Sequence, residues 1–222
     1  MELTAQSLPR LGDPRRSDAS GLVAVTHSLS PLLLLAGYTQ GLFPWSANPV
    51  RWYSPDPRAI FEPHSVHLPR NLAKCARRAA FEVTFDTQFA AVMRACAHAH
   101  RADGVWIDET FVAAYTQLQR LGYAHSVEVW SKGALVGGLY GVQVGGLFAG
   151  ESMFHLQANA SKVAFAATLA QLARQPVVLF DAQVRNAHTE RLGAQEIRRE
   201  QYLQRLHQAV PPDANLLPTR WG

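Results

Sequence analysis

Ser126-Val127-Glu128-Val129-Trp130-Ser131-Lys132-Gly133-Ala134-Leu135-Val136-Gly137-Gly138-Leu139-Tyr140-Gly141-Val142-Gln143-Val144-Gly145-Gly146-Leu147-Phe148-Ala149-Gly150 is the stretch whose reading decides the fold. Polar and apolar residues alternate over Ser126–Trp130, as in a half-buried strand. Ser131-Lys132-Gly133 reads as a turn, Ala134–Val144 as a second strand, and Gly145-Gly146 as a second turn. Leu147–Gly150 then opens a third strand. Three strands joined by short turns are antiparallel neighbours. Glycine inside a strand weakens it and often marks close approach by a ligand or another backbone. Gly150, at a strand end beside Glu151, is the glycine expected to admit a ligand.

Working outward, Asn159-Ala160-Ser161-Lys162 opens a helix to about Arg174, and Pro176 stops it. Val177–Phe180 reads as a buried strand, residues 187–192 as a short helix, and Glu196–Tyr202 as a last strand. Upstream, Asp108 can cap a helix whose Phe111, Val112, Tyr115 and Leu118 recur at helical spacing, with Gly122 ending it. Asp86 can cap another helix to about Ala99, after a strand at Phe81–Phe85 and a basic helix over residues 69–79. Ser30-Pro31 looks like a helix start, and prolines and rings crowd Phe43-Pro44-Trp45 and Trp52–Arg58. The pattern predicts an α+β protein: a small N-terminal lobe over residues 1–62, irregular in about its first 20 residues, and a domain over 63–222 built on one mixed, mostly antiparallel sheet.

The chain has 222 residues, of which 48% are hydrophobic and 17% charged, so it can bury a core. Its formal net charge is +4, an excess that suits a polyanionic partner without demanding one. Two cysteines, Cys75 and Cys96, form no metal or redox pair and fit a reduced, cytoplasmic protein. The apolar run Pro31–Gly37 is too short to span a bilayer, and a soluble chain is expected.

Arg70, Lys74, Arg77 and Arg78 recur at i, i+4, i+7 and i+8, one face of a helix. Crowded cations of this kind suit a phosphate backbone, with a solvated surface as the alternative. Glu151 and Asp181 sit where apolar strands end, and Gln183 follows two residues after Asp181. Carboxylates at the ends of buried strands are unfavourable unless paired or functional. A structural hydrogen-bond network is the bland alternative. The histidines show no ligand spacing and no nucleophile motif is present, so neither a metal, a cofactor nor a covalent acyl-enzyme is expected.

Taken in order, Gly41-Leu42-Phe43-Pro44-Trp45, Trp52-Tyr53-Ser54-Pro55-Asp56-Pro57-Arg58, Gly104-Val105-Trp106-Ile107, His125–Trp130, Leu135–Gly141, Gly150-Glu151-Ser152-Met153-Phe154, Asn159–Lys162, Asp181-Ala182-Gln183 and Leu192-Gly193-Ala194 closely resemble the leucyl/phenylalanyl-tRNA–protein transferase family. The resemblance implies a small lobe on a domain with the fold of GCN5-related N-acetyltransferases. It implies transfer of Leu or Phe, Met less well, from aminoacyl-tRNA to proteins beginning with Arg or Lys, in the N-degron pathway. By the family's pattern Glu151, Asp181 and Gln183 are the catalytic group. Tyr38, Trp45, Trp106, Tyr115, Phe148 and Gly150 would line the donor side-chain pocket. The face bearing Arg70, Lys74, Arg77 and Arg78 would hold the tRNA, and the protein would act as a monomer. Asp181, acting through Gln183, would then orient and deprotonate the incoming amine, while Glu151 would hold either the donor's ammonium or the acceptor's cation. Two rivals remain at this stage. An acyl-CoA acetyltransferase of the same fold needs a Q/R-x-x-G-x-G/A loop, absent here. A non-catalytic RNA-binding module explains the basic helix but leaves the polar trio without a purpose.

Overall fold

The computed structural model of the chain describes every residue except 1–2, 63–65, 67 and 101–106. None of its helices is long and apolar enough to cross a membrane. The lobe is a three-stranded antiparallel sheet: β1 (Leu22–Thr26), β2 (Phe43–Ala47) and β3 (Val50–Tyr53), in the order β1-β3-β2. β2 carries Pro44 and lies at an edge, the one place where a strand loses little by lacking an N–H. Helix α1 (Pro31–Thr39) begins as its sequence suggests, with Pro31 in the first turn and the Ser30 hydroxyl accepting from the Leu33 amide.

β4 (Arg58–Phe61) crosses out of the lobe into the large sheet, so the expected boundary at residue 62 lies beyond the strand that joins the two parts. The other strands are β5 (Glu82–Phe85), β6 (Ala124–Ser131), β7 (Ala134–Val144), β8 (Leu147–His155), β9 (Leu179–Gln183) and β10 (Gln195–Ile197). Their order is β10-β4-β9-β8-β7-β6-β5, all antiparallel except the pair β8 and β9. The deciding stretch therefore forms the β6-β7-β8 meander read from it. Helices α2 (Leu72–Arg78), α3 (Phe89–Ala99), α4 (Glu109–Arg120), α5 (Ala160–Leu172), α6 (Ala187–Arg191) and α7 (Arg199–Ala209) surround the sheet. Asp108 caps α4 through the Phe111 amide.

Three local expectations are corrected. Asp86 caps nothing: it adopts a left-handed φ of 57° and turns its carboxylate to the Ser126 amide and the His125 ring instead. Gln88 precedes α3 without a side-chain cap. Val177 and Val178 stay outside β9, and Val178 is 67% exposed. The strand expected over Glu196–Tyr202 is three residues of β10 followed by α7. Strong helix formers fill that helix, and Tyr202, Leu206 and Ala209 give it a buried face at i, i+4 and i+7.

Two irregularities make the site. β8 pairs with β9 only through Leu147–Leu179, Phe148–Phe180 and Ala149–Asp181. Beyond that point the sheet opens, although β8 runs on to His155. Opposite, β7 pairs Gly141 with Gly150 and Tyr140 with Ser152, so Glu151 is the extra residue of a β-bulge. A bulge re-aims the side chain it carries. Gly141 permits the close packing here, since a Cβ would lie 2.4 Å from the Phe148 ring.

Candidate active site

Where β8 and β9 part, a cavity of about 690 Å³ opens between the large sheet, α6 and the lobe. Trp45 and Tyr53 come from the lobe, Glu151 and Gln183 from the parted strands, and Phe61 and Phe180 supply apolar wall. Among the described residues Glu151 is the only carboxylate in that wall.

Glu151 is buried, and its Oε1 accepts from the Gln183 side-chain amide at 2.7 Å. The Tyr115 hydroxyl donates to Oε2 at 3.4 Å and lies 2.6 Å from the Tyr38 hydroxyl. Burial pushes the Glu151 carboxyl up to about 8; the nearby Asp181 charge adds to this, and the tyrosine hydrogen bonds and Arg58 oppose it. A carboxyl that changes charge near neutrality, inside a cavity, is suited to accept and return a proton.

Asp181 is placed differently. Its two oxygens receive Arg58 Nε at 2.9 Å and Nη2 at 2.6 Å, the Tyr202 hydroxyl at 2.8 Å and the Gln183 backbone amide at 2.8 Å. Arg58 is itself buried between the rings of Phe43 and Tyr202, 4.7 and 4.3 Å from their centroids, and its Nη1 donates to the Gly41 carbonyl. Burial alone lowers the guanidinium's pKa, but Asp181 outweighs it and the group stays charged. Asp181 therefore has its lone pairs occupied and its charge balanced. It holds Gln183, whose φ of 63° is left-handed and unfavourable for a residue with a Cβ. That bend turns the Gln183 amide onto Glu151. Strain of this kind collects where a side chain must be aimed.

The structure thus brings Glu151, Asp181 and Gln183 into one network, as the sequence leads one to expect, but in a different order of access. Glu151 and Gln183 face the cavity; Asp181 lies behind Gln183. Of the residues expected in the donor pocket, Gly150 and Trp45 line the cavity. Tyr38, Tyr115 and Phe148 do not. They are buried in the layer behind it, Tyr38 and Tyr115 on Glu151, and Phe148 against Phe180 and Trp221. Their bulk fills the core, and the two tyrosine hydroxyls turn to the buried carboxyl. Trp106 lies outside the described residues. Arg58 and Tyr202 were not expected at the site. The signal for Arg58 was available: an arginine opens the apolar run Ala59-Ile60-Phe61, where a cation must find a buried partner. No such signal marks Tyr202. The basic set is exposed, with Lys74, Arg77 and Arg78 on α2 and Arg70 in the turn before it. Among the described residues no three His, Cys, Asp or Glu side chains are grouped to hold a metal ion.

The profile of the leucyl/phenylalanyl-tRNA protein transferase family matches residues 60–207, and that of its N-terminal domain residues 27–56. A leucyl/phenylalanyl-tRNA–protein transferase of Anaeromyxobacter sp. is 47% identical over 213 residues, covering 94% of this chain and 90% of the relative. One from Citrobacter koseri is 47% identical over 191 residues, covering 85% and 81%. Among solved structures the chain is similar to a ribosomal-protein-alanine N-acetyltransferase from Brucella melitensis biovar Abortus 2308, at 13% identity and a TM-score of 0.37, covering 64% of this chain and 99% of that one. A GCN5-related N-acetyltransferase from Kribbella flavida covers 74% of this chain and 58% of its own, at 13% identity and a TM-score of 0.40. With two profiles in sequence order and relatives this similar over nearly their whole length, the chain belongs to the leucyl/phenylalanyl-tRNA protein transferase family.

Proposed function

We propose that this enzyme moves Leu or Phe, and Met less well, from aminoacyl-tRNA to the α-amine of proteins beginning with Arg or Lys, marking them for the N-degron pathway. The α-amine attacks the carbonyl carbon of the donor ester. A C–N bond forms, the C–O bond to the ribose breaks, and the amine's proton must leave. Such an amine has a pKa near 8, and burial raises the Glu151 carboxyl toward that range, so it is suited to take the amine's proton. The buried Glu151 carboxyl in the cavity wall, held by the amide of a strained Gln183, is the observation that carries the reading. Glu151 takes the proton, and the departing ribose oxygen receives it. Gln183 orients Glu151 and the amine, while Arg58, Asp181 and Tyr202 keep Gln183 in place. This revises the expectation that Asp181 draws off the proton, because its oxygens are already occupied.

The donor side chain enters the apolar part of the cavity among Phe61, Leu139, Phe165 and Phe180. A pocket of this kind separates substrates differing by one methylene by only about 1–3 kcal/mol, which fits tolerance of Met. The exposed cations around α2 take the tRNA's phosphates. The enzyme acts as a monomer in the cytoplasm, where charged tRNA is found. The test is transfer of labelled Leu from Leu-tRNA to a peptide beginning with Arg. Labelled peptide is the expected product; intact charged tRNA and unlabelled peptide after prolonged incubation contradict the reading.

A further inference from the structure

One side of the cavity wall, away from Glu151 and Gln183, carries imidazoles. His100 at the end of α3, His155 at the end of β8 and His188 in α6 all line it. Met153 lies between two of them, its carbonyl 3.0 Å from His100 Nε2 and its sulfur 3.0 Å from His188 Nε2. His155 Nδ1 is 3.4 Å from the Ser161 hydroxyl, and Lys162 follows in the first turn of α5. Burial lowers the His188 pKa, and Arg191, His155, Lys162 and His100 lower it further. An anion among these groups would favour the protonated ring and offset the cations beside it. The first turn of α5, a helix from Ala160 to Leu172, has no side-chain cap, so its N-terminal dipole acts in the same direction. α5 also packs against α2, the helix that carries Lys74, Arg77 and Arg78.

We propose that His155, Lys162 and His188 form an anion subsite that receives the phosphodiester on the donor's terminal nucleotide. The inference rests on the transferase reading and adds to it. The ester to be attacked and that phosphate are carried by one ribose, so a site holding the ester beside Glu151 must meet the phosphate nearby. The subsite positions the donor and takes no part in proton transfer.

Two small donors test it: a 3′-leucyl nucleoside, and the same molecule with a 5′-phosphate. The ratio of their kcat/KM values in the wild type is expected to favour the phosphate by roughly tenfold, as for one set of charge-assisted hydrogen bonds. In a His155→Gln, Lys162→Gln, His188→Gln variant the ratio falls to near one, and KM for Leu-tRNA rises by a similar factor with kcat little changed. Lys162→Gln alone, a half-exposed position that leaves the core untouched, lowers the ratio part of the way and serves if the triple variant does not fold. A ratio of one in the wild type, or a wild-type ratio and KM in the variants, overturns the subsite while leaving the transferase reading intact. Failure of the wild type with every donor, Leu-tRNA included, overturns both.

Discussion

Arg58 lies beneath two rings with both prongs of its guanidinium on Asp181, and this pair sets the shape of the site. Removing one partner of a buried ion pair leaves the other charge uncompensated. Arg58→Ala is expected to destabilise the fold by about 3–5 kcal/mol, read by urea denaturation. Arg58→Lys keeps the charge but not the planar fork, and falls in between. A loss below about 1 kcal/mol for Arg58→Ala would show that the pair contributes no more than a surface one. Gln183 offers a sharper comparison, because its backbone conformation and its amide can be separated. Gln183→Gly accepts the φ of 63° without strain, whereas Gln183→Ala does not. The glycine variant is expected to be more stable than the alanine variant by about 1 kcal/mol, while both lose transfer, since neither carries an amide to Glu151. Comparable activity in the wild type and the glycine variant would show that the amide is dispensable.

Among the elements, α2 separates binding from chemistry. Lys74, Arg77 and Arg78 are exposed on it, and among the described residues none of them is in an ion pair. Reversing Arg77 and Arg78 to Glu is expected to weaken tRNA binding and to flatten its dependence on log salt, by about 0.9 for each phosphate no longer neutralised. Salt titrations of tRNA affinity check this, and an unchanged slope would remove α2 from the interface. Much at this scale was legible in the sequence. The meander from Ser126 to Gly150 announced itself by alternation and turn glycines, and Asp108 and Ser30 by their capping chemistry. What was not legible depended on distant partners. Asp86 looks like a helix cap in its local sequence, but the Ser126 amide and the His125 ring capture its carboxylate from the neighbouring strand β6. The residues after Glu196 look extended until α7 has a core to bury Tyr202 against. The polar trio was visible as residue types at strand ends. The order of access within it was not, because that order follows from Arg58, more than a hundred positions upstream, entering beside Asp181 through β4.

For the whole molecule, β4 joins the lobe to the sheet, and Arg58 on that strand reaches the site from the lobe side. Arg58 on this strand bonds the Gly41 carbonyl of the lobe, and both parts line the cavity, so lobe and domain are expected to unfold together. Far-UV circular dichroism and tryptophan fluorescence, with Trp52 in the lobe and Trp130 and Trp221 in the domain, are expected to give coincident transitions. Two separated transitions would show independent units. Coupling also gives the site its electrostatics: the lobe supplies Trp45 and Tyr53 to the cavity wall, and α1 places the Tyr38 hydroxyl behind it on Tyr115, beside Glu151. The most direct test of the central claim is therefore single-turnover transfer from Leu-tRNA to an Arg-initiated peptide, followed against pH for the wild type and Glu151→Gln. If Glu151 accepts the amine's proton, the wild-type rate rises as the carboxyl ionises near pH 8. Glu151→Gln then loses transfer by about a hundredfold or more across the pH range, keeping only the rise that the amine's own ionisation gives. A Glu151→Gln enzyme with wild-type rates would contradict the account.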